Sequence, residues 1–247
     1  MKRPWWQWLI CLLAAMLALQ IFFLARIVSM LVLNPASTSF QRSEAWRLGH
    51  QTTAWRQQWL PYEGISANLK RAVIAAEDDS FTSHDGLDWS ALETAWRKNA
   101  KAQAKADRLA QQPNKYAPTK QTTSPKLIGG STITQQLAKN LFLSGERTLF
   151  RKAQEFVLTL AIELVLDKRR ILEIYLNSVE WGEGVFGAEA AARLYFGKSA
   201  AELGAYEAAR MAVMLPRPKY FQKNPESAFL SERADVMVAR MDRAVLP

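Results

Sequence analysis

The segment TLFRKAQEFVLTLAIELVL, residues 148–166, decides the reading of the fold. Phe156, Val157, Leu158, Leu160, Ile162, Leu164, Val165 and Leu166 leave almost no polar side to a helix wound from it. A helix that is apolar nearly all round is expected to form the core of its domain. Downstream, 168–177 predicts another helix, 178–187 is rich in glycine, and 188–195 and 199–214 read as alanine-rich helices that end before Pro216 and Pro218. A last helix is expected within 225–245. Upstream, helices are expected over 65–80, 89–108 and 132–143. No set of segments alternates with period two, and no repeat is present. The expected fold class is all-α or strongly α-dominated.

At the other end of the chain, 9–33 is almost wholly apolar, interrupted mainly by Gln20 and Arg26. As a helix it would reach ~37 Å, enough to cross a hydrocarbon layer of ~30 Å. Trp5, Trp6 and Trp8 stand where an interfacial aromatic belt is expected, and Lys2 and Arg3 precede them, which places residues 1–8 in the cytoplasm. Arg26, near the far end, is expected to snorkel outward. The stretch exceeds a usual signal-peptide core, no Ala-x-Ala site closes it, and bulky Leu9 and Ile10 argue against lipidation of Cys11. An uncleaved signal anchor is expected, against the alternative of a buried helical hairpin in a soluble protein. A juxtamembrane connector over 34–64 would lead into an exported domain over 65–247. Trp46, Trp55, Trp59 and Tyr62 lie along that connector, either near the membrane surface or packed under the domain. Cys11 is the only cysteine, so the domain depends on its own core. Of the net charge of +9, Lys2, Arg3 and Arg26 account for three with no acid before Leu33, leaving +6 on the exported part. That balance suits anionic headgroups or a phosphorylated ligand. An anchored, exported domain does not point to nucleic acid.

The block running from Gly129 and Gly130 through Ser131, Thr132, Gln135, Gln136 and Lys139 to Asn140 has the order of an anion seat. Glycines admit close approach, a hydroxyl caps the helix, and the helix N-terminus offers free N–H groups and partial positive charge. Walker spacing is absent. A capped helix following a loop is the plainer reading, and both stay open from this segment alone. Ahead of it, residues 98–126 carry seven basic residues and one acid, with Pro113, Pro118 and Pro125. This mobile basic stretch, about 98–128, reads as a solvated linker or as a flap over an anionic lipid substrate.

Two carboxylates stand out. Glu77 ends an apolar helix, where partial burial would raise its pKa into the range of a usable base. Asp78, Phe81 and His84 follow within two turns. A helix end stopped by Gly86 is the structural alternative. Glu155 sits on the 148–166 helix, four and three residues after Arg151 and Lys152, and is either paired with them or lining a cleft. Cations at a helix start oppose its dipole, which hints at an external anion served by both. Two carboxylates in one helical domain permit glycosidase-like acid/base chemistry. His50 and His84 are the only histidines, so a structural zinc is not expected, while a Mg²⁺ shared between a carboxylate such as Glu155 and a pyrophosphate stays open.

Five blocks, in order, resemble the peptidoglycan glycosyltransferases of family GT51, most closely the monofunctional members. They are 77–86 (EDDSFTSHDG), 129–140 (GGSTITQQLAKN), 151–155 (RKAQE), 168–177 with its ILEIYLN, and 182–187 (GEGVFG) leading to YFGK at 195–198. The resemblance spans roughly 65–220. It implies a lysozyme-like helical fold and polymerisation of lipid II into β-1,4 glycan strands with release of undecaprenyl diphosphate. It implies Glu77 as general base for the acceptor 4-hydroxyl and Glu155 as a donor-side catalytic group near the diphosphate, positioning it or a metal. Lys139 and Arg151 would hold the departing diphosphate, Thr132, Gln136 and Asn140 would line that site, and Asp78, Phe81 and His84 would shape the pocket at Glu77. The 98–126 segment departs from the family by its length and basicity. With the sequence ending at Pro247, no transpeptidase domain is expected, so cross-linking would fall to partner transpeptidases within the division or elongation machinery. The competing expectations are a glycan-cleaving muramidase or lytic transglycosylase, and a non-catalytic anchored scaffold of wall synthesis.

Overall fold

The computed structural model describes residues 5–49, 55–111, 130–143 and 148–247. The proline-bearing part of the basic stretch, His50 and Arg147 lie outside the described residues. Helices dominate: α1 (Trp5–Ser29), α2 (Ser39–Leu48), α3 (Ala67–Glu77), α4 (Trp89–Gln111), α5 (Ile133–Phe142), α6 (Leu149–Val165), α7 (Lys168–Ser178), α8 (Ala188–Phe196), α9 (Ala205–Met214), α10 (Pro218–Lys223) and α11 (Ala228–Met241). Three very short strands, β1 (Arg56–Gln57), β2 (Glu180–Gly182) and β3 (Val185–Phe186), form one small sheet in the order β1-β3-β2.

Among the described residues, α1 is the one helix long and apolar enough to cross a membrane, and it fits a membrane anchor. Its exit end is fastened to the domain. Ile27 and Met30 are buried, and Phe23 meets the Phe142 ring edge-on at 5.3 Å. Gln20 and Gln154 exchange amide hydrogen bonds of 3.0 Å. Arg170 donates to the carbonyls of Met30 and Leu33 at 2.8 and 3.0 Å. Arg26, expected to snorkel, lies 5.8 Å over the Phe142 ring.

The expectation that the 148–166 helix is core on all sides needs correction. Its buried residues are Glu155, Leu158, Thr159 and Ile162, a single stripe at helical spacing. Phe156, Val157, Leu160 and Leu164 point outward, as do Leu149 and Phe150 before them. Hydropathy around a helix counts apolar faces without saying whether protein or lipid covers them. That stripe joins the main core, in which α3, α9 and α11 pack together, α5 packs on α6, α7 and α2, and Tyr175, Trp181, Phe81 and Phe186 are wholly buried.

The 178–187 stretch is a β-hairpin, β2 antiparallel to β3, and β1 from the connector adds to it in parallel. Gly187 leaves the hairpin at φ +83, and a Cβ there would meet the Asn177 carbonyl at 2.8 Å. The connector carries α2, started by a Thr38 and Gln41 capping box. Asn177 ties the connector down. Its fully buried amide accepts from Leu60 N at 2.8 Å and donates to the Leu60 and Glu173 carbonyls at 2.9 and 2.8 Å. Asn177→Ala is expected to cost about 3 kcal/mol, because it leaves buried backbone groups unpaired. Denaturant unfolding of the detergent-solubilised protein measures this, and an unchanged midpoint would contradict it.

Candidate active site

Ser66 caps α3 by accepting from Leu69 N, and the helix buries Leu69, Ala72, Val73, Ile74 and Ala75 before stopping at Glu77. The last residue of this buried helix therefore presents its carboxylate at the edge of the core. Glu77 Oε2 accepts from Gln136 Nε2 at 2.8 Å, and Gln136 Oε1 accepts from the Tyr175 hydroxyl at 3.0 Å. Tyr175, wholly buried on α7, thereby fixes which end of the Gln136 amide faces Glu77. Burial pushes the Glu77 pKa above its ordinary 4.5; the Gln136 hydrogen bond and Lys139 charge oppose the rise, and Asp78 adds to it. A general base works deprotonated, so if Glu77 is that base, activity should climb as pH rises through this elevated pKa. Gln136→Leu removes the donor that favours the carboxylate, and the acid limb of the rate profile should move to still higher pH. A pH series of initial polymerisation rates reads it; a limb that stays in place would contradict Glu77 as the titrating base.

At the start of α5, where the sequence leaves an anion seat and a plain capped helix both open, protein groups take the N–H donors of Thr132, Ile133 and Gln135. Thr132 Oγ1 accepts from Gln135 N at 3.2 Å, Gln135 Oε1 from Thr132 N at 3.1 Å, and Asp78 Oδ2 from Ile133 N at 3.0 Å. The Thr132 hydroxyl also donates to the Gly86 carbonyl at 2.6 Å. Gly86 itself is at φ +83, and a Cβ there would meet Thr159 and Glu163 side-chain carbons at 2.8 Å. Asp78, 55 positions before its partner Ile133, is the occupant that local reading of the glycine block missed.

The cationic surface lies instead on the side of α5. Gln136, Lys139 and Asn140 share one helical face and line a cavity of about 520 Å³. Arg151 of α6 lines the same cavity, so Lys139 and Arg151 converge on one space. Burial lowers the Lys139 pKa most; Glu155 opposes this, Arg151 and Lys152 reinforce it, and Glu77 opposes it. An ammonium repelled by neighbouring cations is relieved by an anionic ligand. Glu155, 4% exposed, stands behind this wall and does not line the cavity. Its two oxygens pair with Arg151 at 3.2 Å and, closely, with Lys152. A carboxylate held by two cations does not suit Mg²⁺, and among the described residues no group of three His, Cys, Asp or Glu side chains is placed to hold a metal ion. Glu155 holds Arg151 in place here.

Other predicted residues support the site from behind. Asp78 Oδ1 meets His84 Nε2 at 2.8 Å, while Gly86 N donates to Nδ1 at 3.1 Å, which leaves the ring proton on Nε2. Phe81 is wholly buried, edge-on to His84 and beneath Lys168 Nζ at 4.7 Å. Neither Phe81 nor His84 lines the cavities at Glu77. Glu77 also lines a cavity of about 430 Å³ shared with Asp79, Ser80 and Ser131, and a cleft of about 730 Å³ bordered by α9, α10 and α11; Lys139 lines neither. Arg240 lines both and donates to the Ala75 carbonyl at 3.1 Å.

The geometry sets a half-buried carboxylate, Glu77, one glutamine away from a cavity lined by Lys139 and Arg151. The profile of the Transglycosylase family matches residues 47–242. A biosynthetic peptidoglycan transglycosylase of Burkholderia orbicola (strain MC0-3) is 49% identical over 235 residues, covering 94% of this chain and 87% of that relative. The protein of the same description from Burkholderia multivorans (strain ATCC 17616 / 249) is 48% identical over 236 residues, 95% and 88% of the two chains. One from Janthinobacterium sp. (strain Marseille) is 46% identical over 243 residues, 97% and 96% of the two chains. The chain belongs to the transglycosylase family, and it is a glycosyltransferase.

Proposed function

We infer that the protein is a peptidoglycan glycosyltransferase that polymerises lipid II into β-1,4-linked glycan strands and releases undecaprenyl diphosphate. One observation carries this reading: Gln136 stands between Glu77, a base raised by burial, and a cavity where Lys139 and Arg151 meet. The diphosphate of the lipid-linked donor lies against Lys139, Arg151, Gln136 and Asn140. The acceptor sugar enters from the other side and places its 4-hydroxyl at Glu77. Glu77 takes the hydroxyl proton as the oxygen attacks the donor's anomeric carbon. The bond from that carbon to the diphosphate oxygen breaks, and the electron pair leaves with the diphosphate, whose growing charge the cations and amides stabilise. With base and leaving group on opposite sides, the anomeric carbon inverts.

A muramidase would need an acid for the glycosidic oxygen and would have no use for the cation wall. The anchor, with Lys2 and Arg3 before it, sets the domain on the outer face of the cytoplasmic membrane, the periplasmic side. The outward apolar face of α6 beside α1 then rests against lipid. Transpeptidases of the wall machinery are the partners this product calls for. Purified protein incubated with lipid II should yield a ladder of glycan polymer on a gel. Cleavage of finished strands with no polymer formed would refute the reading.

A further inference from the structure

The wall facing Lys139 and Arg151 has the opposite chemistry. Glu44 and Phe40 of α2 and Glu180 of β2 line the same cavity. Lys219 of α10 is aligned on Glu44 Oε2 at 2.7 Å, and Arg47 bridges Glu44 at 2.8 Å and Glu183 at 2.9 Å. Glu44 is thus a settled partner of two cations. Glu180 is not. It is 8% exposed, and Lys219 Nζ lies 3.3 Å from its Oε1 without the alignment of a hydrogen bond, so that buried oxygen has no hydrogen-bond partner. Across the cavity, Arg151 Nε is likewise buried and without a partner. Both atoms are closed off from solvent, but their side chains line one cavity, so an occupant of that cavity meets both residues.

The ligand must be anionic at the Arg151 end and carry hydroxyl or amide groups at the Glu180 end. Burial pushes the Glu180 carboxyl up to about 7, against the charge of Lys219 and helped by that of Glu44. Held near neutrality, the carboxyl exchanges between its charged and protonated forms, and the protonated form both donates and accepts. A divalent cation does not fit this wall, because the Lys219 ammonium already lies between the two carboxylates.

We propose that Glu180 is a specificity-determining residue that hydrogen-bonds a hydroxyl or acetamido group of the sugar borne by the diphosphate. The proposal rests on the reading of the Lys139 and Arg151 cavity as the diphosphate seat. It makes α2, which follows the membrane anchor, one wall of the sugar site.

The test compares two ligands sharing lipid and diphosphate, lipid II and undecaprenyl diphosphate, binding to the full-length protein in detergent micelles. Glu180→Ala should weaken lipid II binding and raise its KM about tenfold, the loss of about one hydrogen bond. It should leave kcat and undecaprenyl diphosphate affinity within about twofold. Glu180→Gln, which still donates and accepts, should restore most of the lipid II affinity. Equal weakening of both ligands, or unaltered lipid II binding in Glu180→Ala, would overturn the proposal. Wild-type protein that binds undecaprenyl diphosphate no better than undecaprenol would instead overturn the diphosphate reading beneath it.

Discussion

Glu77→Gln is expected to lower the rate of glycan polymerisation by about 10³-fold, within the range of about 10²–10⁴ that a positioned base contributes. The substitution keeps size and shape, so the end of α3 is preserved. It removes the one property the mechanism uses, a site that takes a proton. Glutamine can still face the Gln136 amide through its own oxygen, so the Tyr175 and Gln136 chain has no reason to collapse. Binding of lipid II should therefore survive while turnover falls. The measurement is initial polymerisation rate beside equilibrium binding for the same preparation. A variant that binds and polymerises like wild type would remove Glu77 from the chemistry. A variant that loses binding in proportion to rate would make Glu77 a binding group instead.

Lys139→Ala should lower the polymerisation rate by about 10²–10³-fold, the size of effect found when a preorganised donor to a developing charge is deleted. Lys139 is open to solvent on the cavity side of α5, where a leaving diphosphate can reach its ammonium. Unlike Glu77→Gln, this change should also weaken undecaprenyl diphosphate, since the product carries the charge in full. Arg151→Ala should act in the same direction and additionally strand Glu155 with only Lys152 as partner. Steady-state rates and product affinity, measured together, test it. Unchanged affinity for undecaprenyl diphosphate in Lys139→Ala would place the diphosphate somewhere else.

Most helices, α2 and α10 excepted, and the apolar N-terminal helix that fits an anchor are legible because each is written in local pattern. Thr132 and Gln135 announce the start of α5 by their spacing, and Pro216 and Pro218 mark the end of α9. What local pattern cannot carry is the partner that arrives from far along the chain. Asp78 fills the α5 N-terminus, so the glycine block proved a capped helix whose side, not its end, faces the cation cavity. Tyr175 was quoted only as part of a block, and nothing in the periodicity of α7 says that its hydroxyl reaches Gln136. Glu44 and Glu180 carried no sequence signal beyond an acid in a polar helix and an acid in a glycine-rich hairpin. Their meaning comes from sharing a cavity with Arg151. The α6 correction has a different cause. Its apolar residues were read as core, yet half of them face away from the protein next to the anchor.

The division of labour across Gln136, base on one side and departing diphosphate on the other, requires inversion at every bond formed. The configuration of the new glycosidic linkage, determined by NMR on polymer made by the purified protein from lipid II, tests that most directly. The account predicts β-1,4 linkage alone, with one undecaprenyl diphosphate released per bond. An α linkage, a mixture of the two, or diphosphate released without bond formation would contradict it.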